Sequence, residues 1–123
     1  MQSTETDQRI GLEALRNGDL PRAREYLSRA MAGGRTDPAT LLALANACRG
    51  LDDQAGKMAA VERLLSVEPR NLRALLIKAD HLAASGEGRF AAPFYLAALR
   101  SAPPAKEVPP DLLPELRRAQ QMS

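Results

Sequence analysis

This 123-residue sequence contains one histidine, His81, and one cysteine, Cys48. A metal site needs several ligands that converge, and a catalytic cysteine or histidine needs a partner that holds or moves its proton. Asp80 precedes His81, but no cluster of Cys, Asp or Glu completes a ligand set there. We therefore predict no catalytic residue, no metal site and no cofactor, with Cys48 as a small core residue.

Two further patterns that are sometimes catalytic lack their required context. The stretch GEGRF, which begins at Gly86, resembles a phosphate-binding loop, but no predicted strand precedes it and no Gly-Lys-Ser follows it. Ser28, Ser66, Ser85 and Ser101 have no adjacent base that would activate a hydroxyl. These absences predict a protein that is not an enzyme.

Composition narrows the class of partner and the compartment. The sequence has no Trp, two Phe and two Tyr, so its core must be built mainly from Leu, Ala, Val and Met, which favours helices. The 17 basic and 15 acidic residues are interspersed, so we expect no nucleic-acid partner. No apolar run approaches the roughly 20 residues that span a bilayer, and no signal peptide is evident. We expect no membrane partner and a cytoplasmic location, whose reducing conditions suit a single cysteine.

The sequence repeats itself with a period of 34 residues and no gap. Small residues align in one column and larger apolar residues in another. The small column contains Gly11, Ala45 and Ala79, and the larger one contains Leu27, Val61 and Tyr95. The period predicts three copies, at about 4–37, 38–71 and 72–105.

Within each copy, apolar residues recur at three- and four-residue spacing on both sides of a break, which predicts two helices. NGD at 17–19 and SGEG at 85–88 predict the turns between them, and Gly33 predicts a helix end. Two residues depart from the pattern. Lys57 falls in a column of alanines, so its stem must reach water or the helices must separate. Pro93 predicts that its helix begins late or bends.

These columns resemble the tetratricopeptide repeat, most closely at Ala79, Ala91, Tyr95, Ala98 and Pro103. The resemblance implies an all-α fold, a right-handed superhelix of three helix-turn-helix repeats within one domain that covers residues 1–123. A further apolar face at 109–122, with Asp111 as its N-cap, predicts a C-terminal capping helix. Residues 68–120 also resemble the repeat region that precedes the catalytic domain in bacterial aspartyl/asparaginyl β-hydroxylase-like proteins. That resemblance carries over no catalytic residue, only a role in positioning substrates or partners.

The family resemblance implies that the first helix of each copy lines a concave surface that binds an extended segment of a protein partner. The residues expected there are Gln8, Leu12, Leu42, Asn46, Arg49, Arg73, Leu76 and Asp80. Asn46 offers a donor and an acceptor to a peptide, and Arg49 and Arg73 suit a carboxylate. Only Arg73 matches the subfamily that grips chaperone tails, so we expect a different partner.

Three functions stay open on the sequence alone. The first is a peptide-binding or scaffolding module, and the second is the non-catalytic front region of a dioxygenase. The third is a module that associates with itself through the flank of the first copy, where Asp7 and Gly11 leave a thin core.

Overall fold

A computed structural model describes residues 3–123, and every regular element in that range is helical. Seven α-helices follow one another in order, with two short 3₁₀ turns before the last. Their bounds are α1 Thr4–Arg16, α2 Leu20–Ala32, α3 Pro38–Gly50, α4 Gln54–Val67, α5 Leu72–Ala84, α6 Gly88–Ser101 and α7 Leu113–Met122. The 3₁₀ turns are Ala105–Glu107 and Pro110–Leu112. The predicted all-α class is confirmed for the described residues.

Helix starts recur with the period of the sequence. The helices α1, α3 and α5 begin 34 residues apart, and so do α2, α4 and α6. A polar residue before each of the first five accepts a hydrogen bond from the backbone N–H three residues further on. These residues are Ser3, Asp19, Asp37, Asp53 and Asn71. Each side chain satisfies a donor that the first helical turn leaves unpaired, so the start of each helix is determined by residues next to it in the sequence.

The turn inside each helix pair has the same backbone structure. Gly18, Asp52 and Gly86 have φ angles of 79°, 56° and 80°, the left-handed conformation that commonly ends a helix. The next residue donates its backbone N–H to the carbonyl five positions earlier, at 2.9, 2.8 and 2.9 Å in the three copies. These are Schellman turns, and they confirm the predicted turns at 17–19 and 85–88.

The described chain forms two compact units that divide between Glu68 and Pro69. In the N-terminal unit, α1 to α4 pack around fully buried side chains: Leu27, Leu41, Leu44, Val61 and Leu64. Gly11 allows α1 to approach α2 closely, because a Cβ built at this glycine would lie 2.6 Å from Leu27 Cγ. The small-residue column of the repeat thus sets a helix contact in this unit.

In the C-terminal unit, α5 packs on α6 and α6 packs on α7. Its buried centre combines one large side chain, Tyr95, with small ones at Ala79, Ala91 and Ala98. From the C-terminal segment, Leu112 and Ala119 are also buried. The burial of Ala79 agrees with its place in the small-residue column of the repeat.

The structure bears on three local predictions, made for Lys57, Pro93 and Asp111. Lys57 is buried, at 9% exposure, although it stands in a column of alanines. The helix α6 does not begin late, because it starts at Gly88 and continues through Pro93. The prediction that Asp111 caps the last helix is wrong: Asp111 lies in a 3₁₀ turn, and α7 begins after it at Leu113 without a side-chain cap.

None of the helices in residues 3–123 has the length and apolar character needed to span a bilayer.

Candidate functional site

The predicted site residues lie on the first helix of each pair, and the two units divide them. The N-terminal unit contains Gln8, Leu12, Leu42, Asn46 and Arg49, on α1 and α3. The C-terminal unit contains Arg73, Leu76 and Asp80, on α5. The two sets have different environments.

Gln8 joins α1 to the start of α3. Its amide nitrogen donates to the Thr40 hydroxyl at 2.6 Å and to Asp37 Oδ2 at 3.2 Å. The same Asp37 oxygen accepts from the Thr40 hydroxyl at 2.7 Å and from the Thr40 backbone N–H at 3.2 Å. Thr40 is fully buried. Gln8 therefore fixes α1 against the capped first turn of α3, in addition to any contact with a partner.

An open groove of about 530 Å³ runs along α1 beside Gln8. It is lined by Glu5, Thr6, Gln8, Arg9, Leu12 and Arg16, and we refer to it as the α1 groove. Glu5, Gln8, Leu12 and Arg16 recur at three- and four-residue spacing, so they share one side of the helix. The predicted Gln8 and Leu12 therefore line the same open groove, one turn apart on α1.

Two cationic residues of the α1 groove were not among the predicted site residues. Arg9 and Arg16 are exposed, and their guanidinium groups make no ion pair or hydrogen bond with any of residues 3–123. Their spacing from Leu12 could have revealed them, since all three lie on one side of α1. A planar guanidinium can bind a carboxylate through two parallel hydrogen bonds, so this groove can receive negative charge.

The α3 residues complete the N-terminal set. Asn46 and Arg49 are exposed, and Arg49 Nη2 donates to Asn46 Oδ1 at 3.0 Å. Leu42 is half-buried one turn before Asn46. The hydrogen bond occupies the amide oxygen of Asn46, and the NH₂ group of this exposed residue is a further donor. Since α1 packs against α3, these residues lie on a helix adjoining the α1 groove.

Arg73 is bound within its own unit. Its Nη1 lies 2.7 Å from Asp111 Oδ2 and its Nη2 lies 3.3 Å from Asp111 Oδ1. This hydrogen-bonded pair raises the pKa of Arg73 and lowers the pKa of Asp111. Arg73 was predicted to suit a carboxylate, and in the structure the chain itself supplies one from 38 residues away.

Asp80 is also bound within the C-terminal unit. Its Oδ1 accepts from the Tyr95 hydroxyl at 2.6 Å, and its Oδ2 accepts from Arg118 Nη2 at 2.8 Å. Burial raises the pKa of Tyr95 to about 12, with the hydrogen bond to Asp80 adding to it. Leu76 is buried at 3% exposure. The three predicted α5 residues thus stabilise their own unit.

The chemically reactive side chains do not gather into a site in the described range. No group of three or more His, Cys, Asp or Glu that could hold a metal ion occurs within residues 3–123. Cys48 is 1% exposed, as predicted for a core residue. Burial raises the pKa of its thiol to about 11, with the Asp53 charge acting in the same direction. The thiol therefore stays protonated near neutral pH.

Comparison with models of known protein families finds no match for this chain, and comparison with curated proteins finds none either. The resemblances to tetratricopeptide repeats and to the hydroxylase-like proteins stay predictions from the sequence.

Proposed function

We propose that this chain is a tetratricopeptide-repeat module that binds an extended acidic segment of a partner protein in the α1 groove. The observation that carries the proposal is the pairing of Arg9 and Arg16 with the predicted Gln8 and Leu12 in one open concavity. The right-handed superhelix and the cytoplasmic location belong to the same proposal. The 34-residue recurrence of helix starts supports it.

The groove matches an acidic segment in both charge and shape. Arg9 and Arg16 offer donors to carboxylates, and Leu12 lies between them in sequence as an apolar contact. On α3, the Asn46 amide and Arg49 add donors to a bound peptide backbone or side chain. Glu5 is the sole carboxylate of the lining, so the end of the groove beside Glu5 repels a carboxylate of the partner.

The proposed site excludes the α5 residues of the original set. Arg73 and Asp80 are bound to the C-terminal segment through Asp111 and Arg118. Leu76 is buried. A partner that used these three would first have to break those contacts, whereas Arg9 and Arg16 have no hydrogen bond or ion pair with residues 3–123 to break.

The test uses a synthetic array of acidic peptides, each made with a free and with an amidated carboxyl end. Peptides that bind are titrated by fluorescence anisotropy against wild type and the Arg9→Ala/Arg16→Ala double variant. Hydrogen bonds to charged groups contribute about 1.5–3 kcal/mol each, so losing two should weaken binding by well over tenfold. Arg49→Ala should weaken it less, because Arg49 lies on the adjoining helix.

The matched control is Arg63→Ala/Arg117→Ala, which removes the same charge from exposed positions on α4 and α7. Circular dichroism establishes that both double variants keep their helical content. Equal weakening by the two double variants would show a general charge effect and contradict the proposed groove. An array without any binding peptide would contradict the proposed function.

A further inference from the structure

A second surface that could bind a partner lies on the outer side of α6. The helix buries Ala91, Tyr95 and Ala98 on one side. Pro93, Leu96 and Arg100 recur at three- and four-residue spacing on the opposite side. Leu96 is 41% exposed, which makes it one of the few large apolar side chains of the described chain that are left open to solvent.

This side of α6 forms one wall of an open groove of about 370 Å³. The other wall comes from the segment that precedes α5, through Pro69 and Arg70. Leu96, Ala97, Pro93 and Pro69 give the groove an apolar floor, and Arg70, Arg100 and Ser101 complete it. We refer to these seven residues as the α6 groove. All of them belong to the C-terminal unit.

The charge of the α6 groove is entirely positive. The lining has no Asp or Glu, and the whole of α6 has none. Arg70 and Arg100 are exposed, and within residues 3–123 their guanidinium groups have no hydrogen-bond or ion-pair partner. By contrast, Arg73 and Arg118 of the same unit each bind a carboxylate of this chain. The two groove arginines therefore have free binding capacity.

We infer that the α6 groove binds an acidic segment of a partner protein in which carboxylates flank an apolar side chain. The two guanidinium groups match the carboxylates, and the floor of Pro69, Pro93 and Leu96 matches the apolar side chain. Proline rings lose little conformational freedom on binding, so this floor is ordered at low entropic cost. The site is separate from the α1 groove, because it uses other helices in the other unit.

An anionic membrane surface would also attract arginines beside apolar residues, but the shape favours a peptide. The groove is concave, whereas insertion into a bilayer uses apolar side chains that project from the surface. Phe90, 51% exposed near the start of α6, has the Arg89 guanidinium 4.8 Å from its ring centroid. Its exposed ring is thus partly covered, and it does not line the groove.

The probes are fluorescein-labelled hexapeptides with two central apolar residues, Leu, Ile, Val or Phe, flanked on both sides by Asp or Glu. Matched peptides carry Lys in place of the acids. Wild type should bind acidic peptides and not the Lys peptides. The Arg70→Ala/Arg100→Ala variant should bind at least about tenfold more weakly, and Leu96→Ser should also weaken binding. The control variant Arg63→Ala/Arg117→Ala should leave the affinity unchanged.

Backbone ¹⁵N NMR spectra locate the bound peptide and separate this inference from the proposed function. Amide signals of Arg70, Leu96, Ala97, Arg100 and Ser101 should shift on titration. Shifts confined to α1 would overturn the α6 groove, whereas shifts of the α6 groove residues would support it whatever the peptide array shows for the α1 groove. Equal binding of the Lys peptides, no binding of any acidic peptide, or binding only to phosphatidylserine vesicles would each overturn the inference.

Discussion

The helices α1 and α5 hold equivalent places in their repeats, but they use those places differently. Gln8 and Leu76 are two repeats apart, and so are Leu12 and Asp80. On α1, the pair lines an open groove. On α5, Leu76 is buried and Asp80 is hydrogen-bonded to side chains of α6 and α7. A position in the repeat therefore does not by itself decide whether a residue is available to a partner.

The charges that the chain places around each helix account for the difference. The C-terminal segment supplies Asp111 to Arg73 and Arg118 to Asp80, so the polar groups of α5 are satisfied internally. No residue of the described chain supplies a carboxylate to Arg9 or Arg16 on α1. The α1 groove therefore differs from α5 in having arginine side chains that no carboxylate among residues 3–123 binds.

Deleting residues 109–123 should make the two helices alike and should have the largest effect. The deletion removes the buried Leu112 and Ala119, frees Arg73, and leaves Asp80 with only its hydrogen bond from Tyr95. Losing this apolar burial should destabilise the C-terminal unit by about 3 kcal/mol or more. We expect a lower melting temperature by circular dichroism and association by light scattering, because an apolar surface becomes exposed. A monomer that melts like wild type would show that the segment does not stabilise α5 and α6.

One substitution, glycine to alanine, should have opposite signs in the two units. At Gly11 in α1 the new Cβ would lie 2.6 Å from the fully buried Leu27, so Gly11→Ala should cost about 1–3 kcal/mol. At Gly88, the first residue of α6, a Cβ meets nothing within 4 Å. There Gly88→Ala should be neutral or stabilise by up to about 1 kcal/mol. Urea unfolding of both variants is the measurement, and equal free energies of unfolding would contradict the close approach of α1 and α2.

Alkaline pH should affect the stability of the two units in successive windows. Cys48 in the N-terminal unit has its pKa raised from 9.0 to about 11, and Tyr95 in the C-terminal unit from 10.0 to about 12. Below its pKa in the unfolded chain, each group is protonated in both the folded and the unfolded chain, so its contribution to the free energy of unfolding is fully present. As pH rises, the unfolded chain loses the proton first, and stability is lost from pH 9 to 11 for Cys48 and from pH 10 to 12 for Tyr95.

The check is the urea midpoint measured across this range for wild type, Cys48→Ala and Tyr95→Phe. Each variant removes one titrating group, so each should reduce the pH dependence in its own window even if its overall stability is lower. A wild-type midpoint that stays constant from pH 9 to 12 would contradict both shifts. A variant with an unchanged pH profile would contradict the shift assigned to that residue.

The helix pairs were predictable because their determinants are local and periodic. The 34-residue spacing of small residues marks the copies, and the turns at 17–19 and 85–88 follow from their glycines. A further periodic pattern marks the helix starts: Ser3, Asp37 and Asn71 are 34 residues apart and each caps a helix. Caps act within one turn, so a sequence pattern is enough to find them.

The site was only partly predictable, because ion pairs depend on contacts between distant residues. The helical spacing that placed Gln8 and Leu12 on one side of α1 also includes Arg9 and Arg16. In contrast, nothing in the sequence near Arg73 shows that a carboxylate 38 residues away binds it. Asp111, predicted from the sequence to cap the last helix, instead binds that arginine.

The turn within each helix pair has a consequence for how such a chain can change in length. The left-handed residue and its hydrogen bond lie within a few residues of each other and recur in every copy, and a side-chain cap begins the next helix in the first two copies. Glycine holds the left-handed position twice, and Asp52 holds it once. The residues that form each turn therefore lie within its own copy. Duplicating one 34-residue block in the gene would add a complete helix pair without changes to the sequences of the neighbouring copies. In evolution or by protein engineering, binding surface can then be gained in whole blocks, with each new copy free to acquire its own charges.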